Sequence, residues 1–421
     1  MKAAMLAILF AVPVLIAQIY PVTQGKTYKF EKIAEGVYYA TGGFGSNNVV
    51  IVNDQDVLLV DDGTTPAAAR AFLDDVKILT KKPVRYVVNT HFHYDHTDGN
   101  SVFGPEVQII AHEFVRTAIA TFDVLNREPF ITSQKTAVPA RIDALTKQIA
   151  SEKDPRKKVA LQKDLATART TQNQLKEIKP TPPNVTYSSK LVLYSGSREI
   201  QLLFLGRGHT AGDTVVFLPR ERIVCTGDLM ESRLAYMGDA FFDEWVTTLE
   251  ALKKLDFALV LPGHGVPFGD KGLITAYQSY LNDVTKKVAD LRAQGSTAEQ
   301  AAARVDMTSH QKEFPQITGP GADRAASAGS THGWMIGLES KSYFVSTFTT
   351  SIFSSFGTSI WCGTLAGIWK ISPATIFLDT PPVIEVPRIS LGAVVCGPTT
   401  VPPRMSVPSP DVTKITSTWF S

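Results

Sequence analysis

Residues 91–96 read His-Phe-His-Tyr-Asp-His, and no other segment restricts the fold and function of this chain as strongly. The apolar run 84–89 precedes them and has the composition of a β-strand, so the polar side chains lie in a loop at a strand end. Three imidazoles and a carboxylate this close together are costly to bury unless something binds them. Such nitrogen and oxygen ligands suit Zn²⁺ and related divalent ions. Because only eight histidines occur in 421 residues, this cluster indicates a metal site rather than a histidine-rich surface loop.

Three further segments place a polar residue in a glycine-containing turn directly after an apolar run. These residues are His209, Asp228 and His264. Glycine allows the backbone to turn sharply at such points. The three side chains can therefore reach a centre shared with the loop 91–96.

The order of these segments resembles that of the metallo-β-lactamase superfamily of hydrolases. The His-x-His-x-Asp-His loop is followed by Gly-x-x-His-Thr-x-Gly-Asp at 206–213, Thr-Gly-Asp at 226–228 and Pro-Gly-His-Gly at 262–265. The segment 57–63, which ends in Asp-Asp-Gly, is similar to the family's early strand with its Asp-x-Gly ending. The resemblance covers roughly residues 28 to 285, about 60% of the chain.

The resemblance implies a site for two zinc ions or two other divalent metal ions. One ion would be bound by three imidazoles, those of His91, His93 and His209. The second would be bound by Asp95, His96 and His264, and Asp228 would bridge the pair. Asp61 would orient a ligand histidine, as metal-bound imidazoles usually require.

A reaction is implied as well. Two divalent ions roughly 3.5–4 Å apart can share a bridging hydroxide, because the pKa of bound water falls to about 7. The hydroxide would attack the carbonyl carbon of an ester, thioester, lactone or amide-type substrate while one ion polarises the carbonyl oxygen. Asp95 would bind metal and accept a hydrogen bond from the nucleophile, and is the predicted catalytic residue. The chain has no Gly-x-Ser-x-Gly motif, which disfavours a serine hydrolase.

Asp228 distinguishes branches of the family. Class B β-lactamases lack a bridging aspartate and some have a cysteine near this point, whereas glyoxalase II enzymes, lactonases and many generic hydrolases of the fold have the aspartate. We therefore expect a glyoxalase II-like or generic hydrolase, with a class B-like β-lactamase as the alternative. Cys225 is expected to be a buried small hydrophobic residue. From another class of protein, a non-catalytic metal-binding or redox-accessory periplasmic component is the alternative.

Strand-type and helix-type segments alternate from Tyr28 onwards, in agreement with the four-layer αβ/βα sandwich, an α/β fold, that the resemblance implies. The predicted domain spans residues 28–320. Strands are predicted at 37–40, 48–52, 57–60, 84–89, 107–111, 191–194, 200–205, 214–218, 222–225 and 258–261, and helices at 65–79, 242–255 and 273–294.

Residues 113–183 interrupt this domain. Apolar residues recur there at helical spacing, and Asp154-Pro155 suits the start of a second helix. The sequence predicts a helical hairpin with a basic outer face. It could be a lid over the metal site, an arm that forms a homodimer, or a solvated spacer.

The two ends of the chain differ from the predicted domain. Lys2 and the apolar stretch up to Ala17 predict a signal peptide over residues 1–17, and hence an exported, periplasmic or secreted protein. An uncleaved anchor is the alternative, which Pro13 and the shortness of the stretch disfavour. Residues 321–421 form an extension of unknown role. Within it, 342–369 is a weak transmembrane candidate because hydroxyl side chains are frequent.

The net charge of +2 and the 19% of charged residues predict no nucleic-acid surface, and a small-molecule substrate is the expected partner. Its binding residues cannot be named, because loops and the insertion would line the pocket without a readable motif. Three cysteines do not make a disulfide framework, although Cys362 and Cys396 could pair in an oxidising compartment.

Overall fold

The computed structural model describes residues 20–43 and 45–321. The predicted signal peptide 1–17, the extension from residue 322 onwards, the stretch 342–369 and both cysteines Cys362 and Cys396 lie outside the described residues. Within the described part, the strands form two sheets and the helices cover or interrupt them.

The first sheet has eight strands that lie side by side in chain order. They are β1 (Val22–Gln24), β2 (Lys29–Ala34), β3 (Val37–Thr41), β4 (Asn48–Val52), β5 (Val57–Val60), β6 (Val84–Val88), β7 (Gln108–His112) and β8 (Val185–Tyr187). Strands β1 to β5 pair antiparallel and β5 to β8 pair parallel. All four residues of β5 are buried, as expected for a central strand that is covered on both faces.

The second sheet has five strands in the order β13-β12-β11-β10-β9. They are β9 (Lys190–Ser195), β10 (Arg198–Phe204), β11 (Thr214–Leu218), β12 (Ile223–Gly227) and β13 (Leu259–Pro262). The pair β12 and β13 is parallel, and the other neighbours are antiparallel.

The described α-helices lie in the connections between strands and after β13. They are α1 (Pro66–Leu79), α2 (Tyr94–Thr97), α3 (Glu113–Thr121), α4 (Ala137–Ser151), α5 (Pro155–Leu175), α6 (Phe242–Lys254), α7 (Lys271–Ala293) and α8 (Ala298–Arg304). The start of α1 is fixed by the side chain of Thr65, which accepts a hydrogen bond from Ala68 N. Pro66 then occupies the first turn, where its missing N–H costs nothing.

Apolar side chains from both sheets meet in a central layer of the core, among them Leu58, Ile110, Val216 and Cys225. Cys225 is a free thiol buried in this layer, and the prediction of a small buried hydrophobic residue is confirmed. Burial of this kind contributes about 25 cal/mol for each Å² of apolar surface removed from water.

Two further layers cover the outer faces of the sheets. On the first sheet, Phe72 of α1 lies in one apolar cluster with Phe30 and Val87. On the second sheet, Trp245 of α6 and Tyr277 of α7 lie in one apolar cluster that includes residues of β11, β12 and β13. The order helix, sheet, sheet, helix confirms the predicted four-layer αβ/βα sandwich.

The insertion contains the predicted helical hairpin, formed by α4 and α5, which pack against each other. The side chain of Asp154 caps α5 by accepting hydrogen bonds from the backbone N–H groups of Arg156 and Lys157, and Pro155 occupies the first turn. Leu145 and Ala168 are buried, whereas four of the five lysines and arginines of α5 are exposed and Lys158 is half-buried. A homodimer through this hairpin stays a prediction.

None of the helices in the described ranges combines the length and apolar character needed to cross a bilayer.

Candidate metal centre

The loops that carry the predicted ligands meet where strands of both sheets end. The loop with the three clustered histidines follows β6, and the other ligands follow β10, β12 and β13. Backbone hydrogen bonds hold these loops together: Thr214 N donates to Thr90 O at 2.7 Å, and Gly263 N donates to Gly227 O at 2.8 Å. The site is therefore built from both sheets.

Two glycines allow the loops to approach this closely. Gly227 has a φ of 51°, and a Cβ there would lie 2.4 Å from the Thr90 hydroxyl oxygen. A Cβ on Gly263 would lie 2.4 Å from Asp228 Oδ1 and 2.9 Å from His96 Cε1. A side chain at either position would push apart groups that the site brings together.

Three imidazoles form what we term the three-histidine set: His91, His93 and His209. The Nδ1 atom of His93 lies 3.0 Å from His91 Nε2 and 3.0 Å from His209 Nε2. Burial, followed by the neighbouring imidazoles, holds the pKa of His91 well below its usual value. The same causes lower the pKa of His209 to about 3. These two rings are neutral near pH 7 and have lone pairs available for a cation.

A second group, the mixed set, contains Asp95, His96 and His264. The Nε2 atom of His264 lies 3.0 Å from Asp95 Oδ2, and that of His96 lies 3.7 Å from the same oxygen. Burial lowers the pKa of both imidazoles, but the carboxylates around them outweigh it. The pKa of His96 is well above its usual value and that of His264 is about 9.

Asp228 lies between the two sets. Its Oδ2 is 3.8 Å from His209 Nε2, 4.0 Å from His91 Nε2 and 3.6 Å from His264 Nε2. Its Oδ1 is 3.3 Å from His96 Nε2. Burial opposes ionisation of Asp228, yet the imidazoles of His264, His96 and His91 hold its pKa well below the usual value. Asp228 is thus an ionised carboxylate that contacts both sets.

Divalent cations fit this arrangement. The ligand atoms within each set lie within 4.8 Å of one another, and a third such group joins His91, His96 and Asp228. Both His96 Nε2 and Asp228 Oδ1 are buried, and beyond their 3.3 Å approach to each other neither has a hydrogen-bond partner among the described residues, a costly condition for polar atoms. Imidazole nitrogens and carboxylate oxygens are ordinary zinc ligands. All seven predicted ligands therefore lie in three groups that could hold metal, and the group with Asp228 shares one histidine with each of the other two.

Asp61, predicted to orient a ligand histidine, contacts His96. Its Oδ2 lies 2.8 Å from His96 Nδ1, on the opposite side of the ring from Nε2. Asp61 also accepts hydrogen bonds from the backbone N–H and the hydroxyl of Thr90, at 2.8 and 2.9 Å. Its φ of 59° lies in the left-handed region, which aspartate tolerates better than most residues.

Two aspartates that the sequence reasoning missed support other ligands. Asp239 Oδ2 lies 3.0 Å from His93 Nε2. Asp213 accepts hydrogen bonds from the N–H and hydroxyl of Thr210, which fixes the loop that carries His209. Asp213 belongs to the Gly-x-x-His-Thr-x-Gly-Asp motif and could have been assigned this role. Asp239 lies in no such motif, 146 residues after His93.

The part of the chain that carries this site resembles known proteins. Residues 41–264 match the profile of the metallo-beta-lactamase superfamily. A metallo-beta-lactamase type 2 of Bacillus cereus is 24% identical over 243 residues, which cover 56% of this chain and 73% of that protein. A metallo-beta-lactamase of Chryseobacterium indologenes is 34% identical over 108 residues, which cover 24% of this chain and 45% of that protein.

A relative with a different named activity is also similar. The alpha subunit of the 2,4-dinitroanisole O-demethylase of a Nocardioides strain is 24% identical over 221 residues, 51% of each chain. The named activities of these relatives therefore differ.

Proposed function

This chain belongs to the metallo-beta-lactamase superfamily and is a hydrolase, and from that premise we propose that it is a two-zinc enzyme that hydrolyses an ester, thioester, lactone or amide-type carbonyl. The observation that carries the proposal is the position of Asp228, whose carboxylate lies within 4.0 Å of imidazoles from both sets of ligands. A carboxylate shared in this way suits a pair of cations better than a single one.

The first ion would be held by the three-histidine set and the second by the mixed set, with Asp228 contributing to both. When bound, such ions supply Lewis acidity, which brings the pKa of water towards about 7 and polarises the oxygen of the bond to be cleaved.

Asp95 is the carboxylate best placed to orient a water molecule. Its side chain is 14% exposed, whereas His96 next to it is fully buried, so Asp95 lies at the open side of the site. Burial raises its pKa, but His96 and His264 outweigh this effect and bring it to about 2. The ionised carboxylate can accept a hydrogen bond from an attacking water molecule and draw its proton away from the oxygen that attacks.

A β-lactamase is the second candidate within the same chemistry, since a β-lactam is an amide-type carbonyl. The named activity of the relatives from Bacillus cereus and Chryseobacterium indologenes favours it. An aspartate at position 228, between the two sets, favours the bridging-aspartate hydrolases instead. We therefore consider β-lactamase activity the second candidate.

The test is a hydrolysis screen with the full chain over thioesters, lactones, simple esters and β-lactams. Each substrate is assayed with the zinc-loaded protein, after removal of metal by a chelator, and after zinc is added back. We expect turnover of at least one carbonyl substrate that disappears with the chelator and returns with zinc.

The outcomes separate the alternatives. Turnover of β-lactams alone would establish the second candidate. Binding of zinc without turnover of any substrate would favour a non-catalytic metal-binding or redox-accessory protein. Turnover that survives complete metal removal would refute a metal-dependent mechanism.

A further inference from the structure

The loop with the clustered histidines faces two ways. His91 and His93 face the other ligands: His93 Nδ1 lies 3.0 Å from His209 Nε2, and His91 Nε2 lies 4.0 Å from Asp228 Oδ2. Phe92 and Tyr94, the alternate residues, pack against residues 122–134 of the insertion, which we term the clamp segment. This segment precedes the helical hairpin and includes a 3₁₀ turn and a π-helical turn.

Aromatic contacts hold the clamp segment on this loop. The rings of Phe92 and Phe122 meet edge to face with centroids 6.0 Å apart, and those of Tyr94 and Phe130 with centroids 5.4 Å apart. Gln134 Nε2 donates a hydrogen bond to the Tyr94 hydroxyl at 3.2 Å. Edge-to-face pairs of this kind add about 0.5–1.5 kcal/mol each beyond the area that they bury.

Arg127 of the clamp segment extends the contact to a ligand. Its guanidinium lies over the rings of Phe92 and Phe122, at 5.3 and 5.2 Å from their centroids. It also forms an ion pair with Asp239. The other oxygen of Asp239 lies 3.0 Å from His93 Nε2. One continuous series of contacts thus joins the insertion to a predicted metal ligand.

The chemistry of His93 explains why this series matters. Since its Nδ1 faces His91 and His209, its Nε2 must carry the ring proton when Nδ1 binds a cation. Asp239 can accept that hydrogen bond, which fixes the ring and increases the basicity of Nδ1. The side chain of Asp239 is only 13% exposed, and a carboxylate so buried is costly unless a cation pairs with it. Arg127 supplies that charge.

We propose that Arg127 is a positioning residue for the metal centre: it holds Asp239 against His93 and so couples the clamp segment to the ion bound by the three-histidine set. The inference rests on the proposed function only in requiring an ion at His93, and it does not depend on which bond is cleaved.

The test measures zinc affinity by competition of the full chain with a chromophoric chelator, without any substrate. We expect Arg127→Met to weaken one of the two zinc-binding steps about tenfold, the lower end of the range for groups that support a metal ligand. Arg127→Lys, which keeps the charge but not the planar stacking, should lie between this variant and the wild type. Arg141→Met is the matched control, because Arg141 is exposed on α4 of the same insertion, and its affinity should equal that of the wild type.

A double-mutant cycle shows whether Arg127 acts through Asp239. Asp239→Asn should lower the affinity at the same step, and adding Arg127→Met to it should lower the affinity little further, because groups that act through one contact are not additive. The absorption spectrum of the cobalt-substituted protein gives a second readout. It should shift in Arg127→Met and return towards the wild-type spectrum in Arg127→Lys.

Wild-type affinity and spectrum in Arg127→Met, or losses that simply add in the double variant, would overturn the inference. If Arg127→Met does not fold, judged by circular dichroism, Arg127→Lys alone and combined with Asp239→Asn decides in the same way. Failure of the proposed function looks different, because the wild type itself would then bind no zinc or turn over no substrate.

Discussion

The Oδ2 atom of Asp61 lies 2.8 Å from Nδ1 of His96, 35 residues away, and leaves Nε2 of that ring facing the carboxylate of Asp228. Because both groups are buried, the contact determines which nitrogen of His96 can bind a cation. We expect Asp61→Asn to lower the affinity for the second zinc ion about 10–100-fold, as loss of such a supporting carboxylate typically does. Zinc competition with a chelator measures the effect.

The control for this variant is Asp164→Asn, since Asp164 is exposed on α5. It removes the same charge without touching the site and should leave both affinities unchanged. Equal affinities in Asp61→Asn and Asp164→Asn would show that His96 is oriented by other contacts.

The number of bound ions should depend on Asp228. We expect the wild type to bind two zinc-class ions per chain and Asp228→Ala to bind one, because the change removes the only carboxylate that contacts both sets among the described residues. Elemental analysis of metal-replete protein checks this result. One ion per chain in both proteins would argue against a dinuclear centre.

Catalysis should depend on the charge of Asp95. Asp95→Asn keeps the size of the side chain and one oxygen but removes the charge that accepts a proton from the attacking water. Loss of a group that acts as a general base typically lowers the rate about 10²–10⁴-fold, or about 3–5 kcal/mol of barrier. The measurement is kcat/KM on whichever substrate the screen identifies, with metal content determined in parallel.

His310→Ala is the control for Asp95→Asn, because His310 pairs with Asp283 of α7 outside the site. Its rate should stay close to the wild-type rate. Near-full activity in an Asp95→Asn protein that retains both ions would mean that another group orients the nucleophile.

Binding of the second ion should strengthen as the pH rises. Burial lowers the pKa of His264, but Asp228 and Asp95 outweigh this effect and raise it to about 9 in the metal-free protein. An ion that binds near pH 7 must therefore displace this proton. We expect the affinity to rise up to about tenfold per pH unit for each displaced proton up to about pH 9, where His264 loses its proton without the metal.

Calorimetry in buffers of different ionisation enthalpy counts the released protons. The imidazole of His209 is already neutral near pH 7, because its pKa is about 3. It should therefore release no proton when metal binds, and is the internal reference for a ligand without proton release. An affinity for the second ion that does not change between about pH 7 and 9 would contradict this assignment.

Export stays a prediction from the residues before Ala17. We expect the mature protein to begin shortly after Ala17, because a signal peptidase cleaves behind such a segment. Amino-terminal sequencing of protein from fractionated cells checks it. A mature chain that retains Met1 and fractionates with cytosolic markers would contradict the prediction.

The fold and the ligands were predictable where the signal is local. Each ligand loop follows a buried apolar strand within a few residues, so one short segment of the sequence shows both the strand and the polar residue that follows it. His264, for example, comes two residues after β13. Strands β1, β2 and β8 escaped prediction. For β1 and β8, three residues are too few to show a period, and their pairing depends on neighbouring strands.

The groups that support the ligands were less predictable because they depend on tertiary contacts. Arg127 and Asp239 are 112 residues apart, and neither lies in a periodic segment or a recognisable motif. Asp61 could be predicted only because its Asp-x-Gly strand ending is part of the family resemblance. A contact between side chains so far apart in the chain produces no recognisable local pattern in a single sequence.

The division of the ligands between the two sheets has a consequence for the order of events in biosynthesis. The mixed set includes Asp95 and His96 after β6 and His264 after β13, and the three-histidine set likewise needs His209 after β10. A nascent chain that ends before residue 264 therefore lacks a complete mixed set, however well its first sheet has formed. Under the proposed function, full metal loading would follow synthesis of the segment that carries His264, so the metal would be needed in the compartment where the whole chain folds.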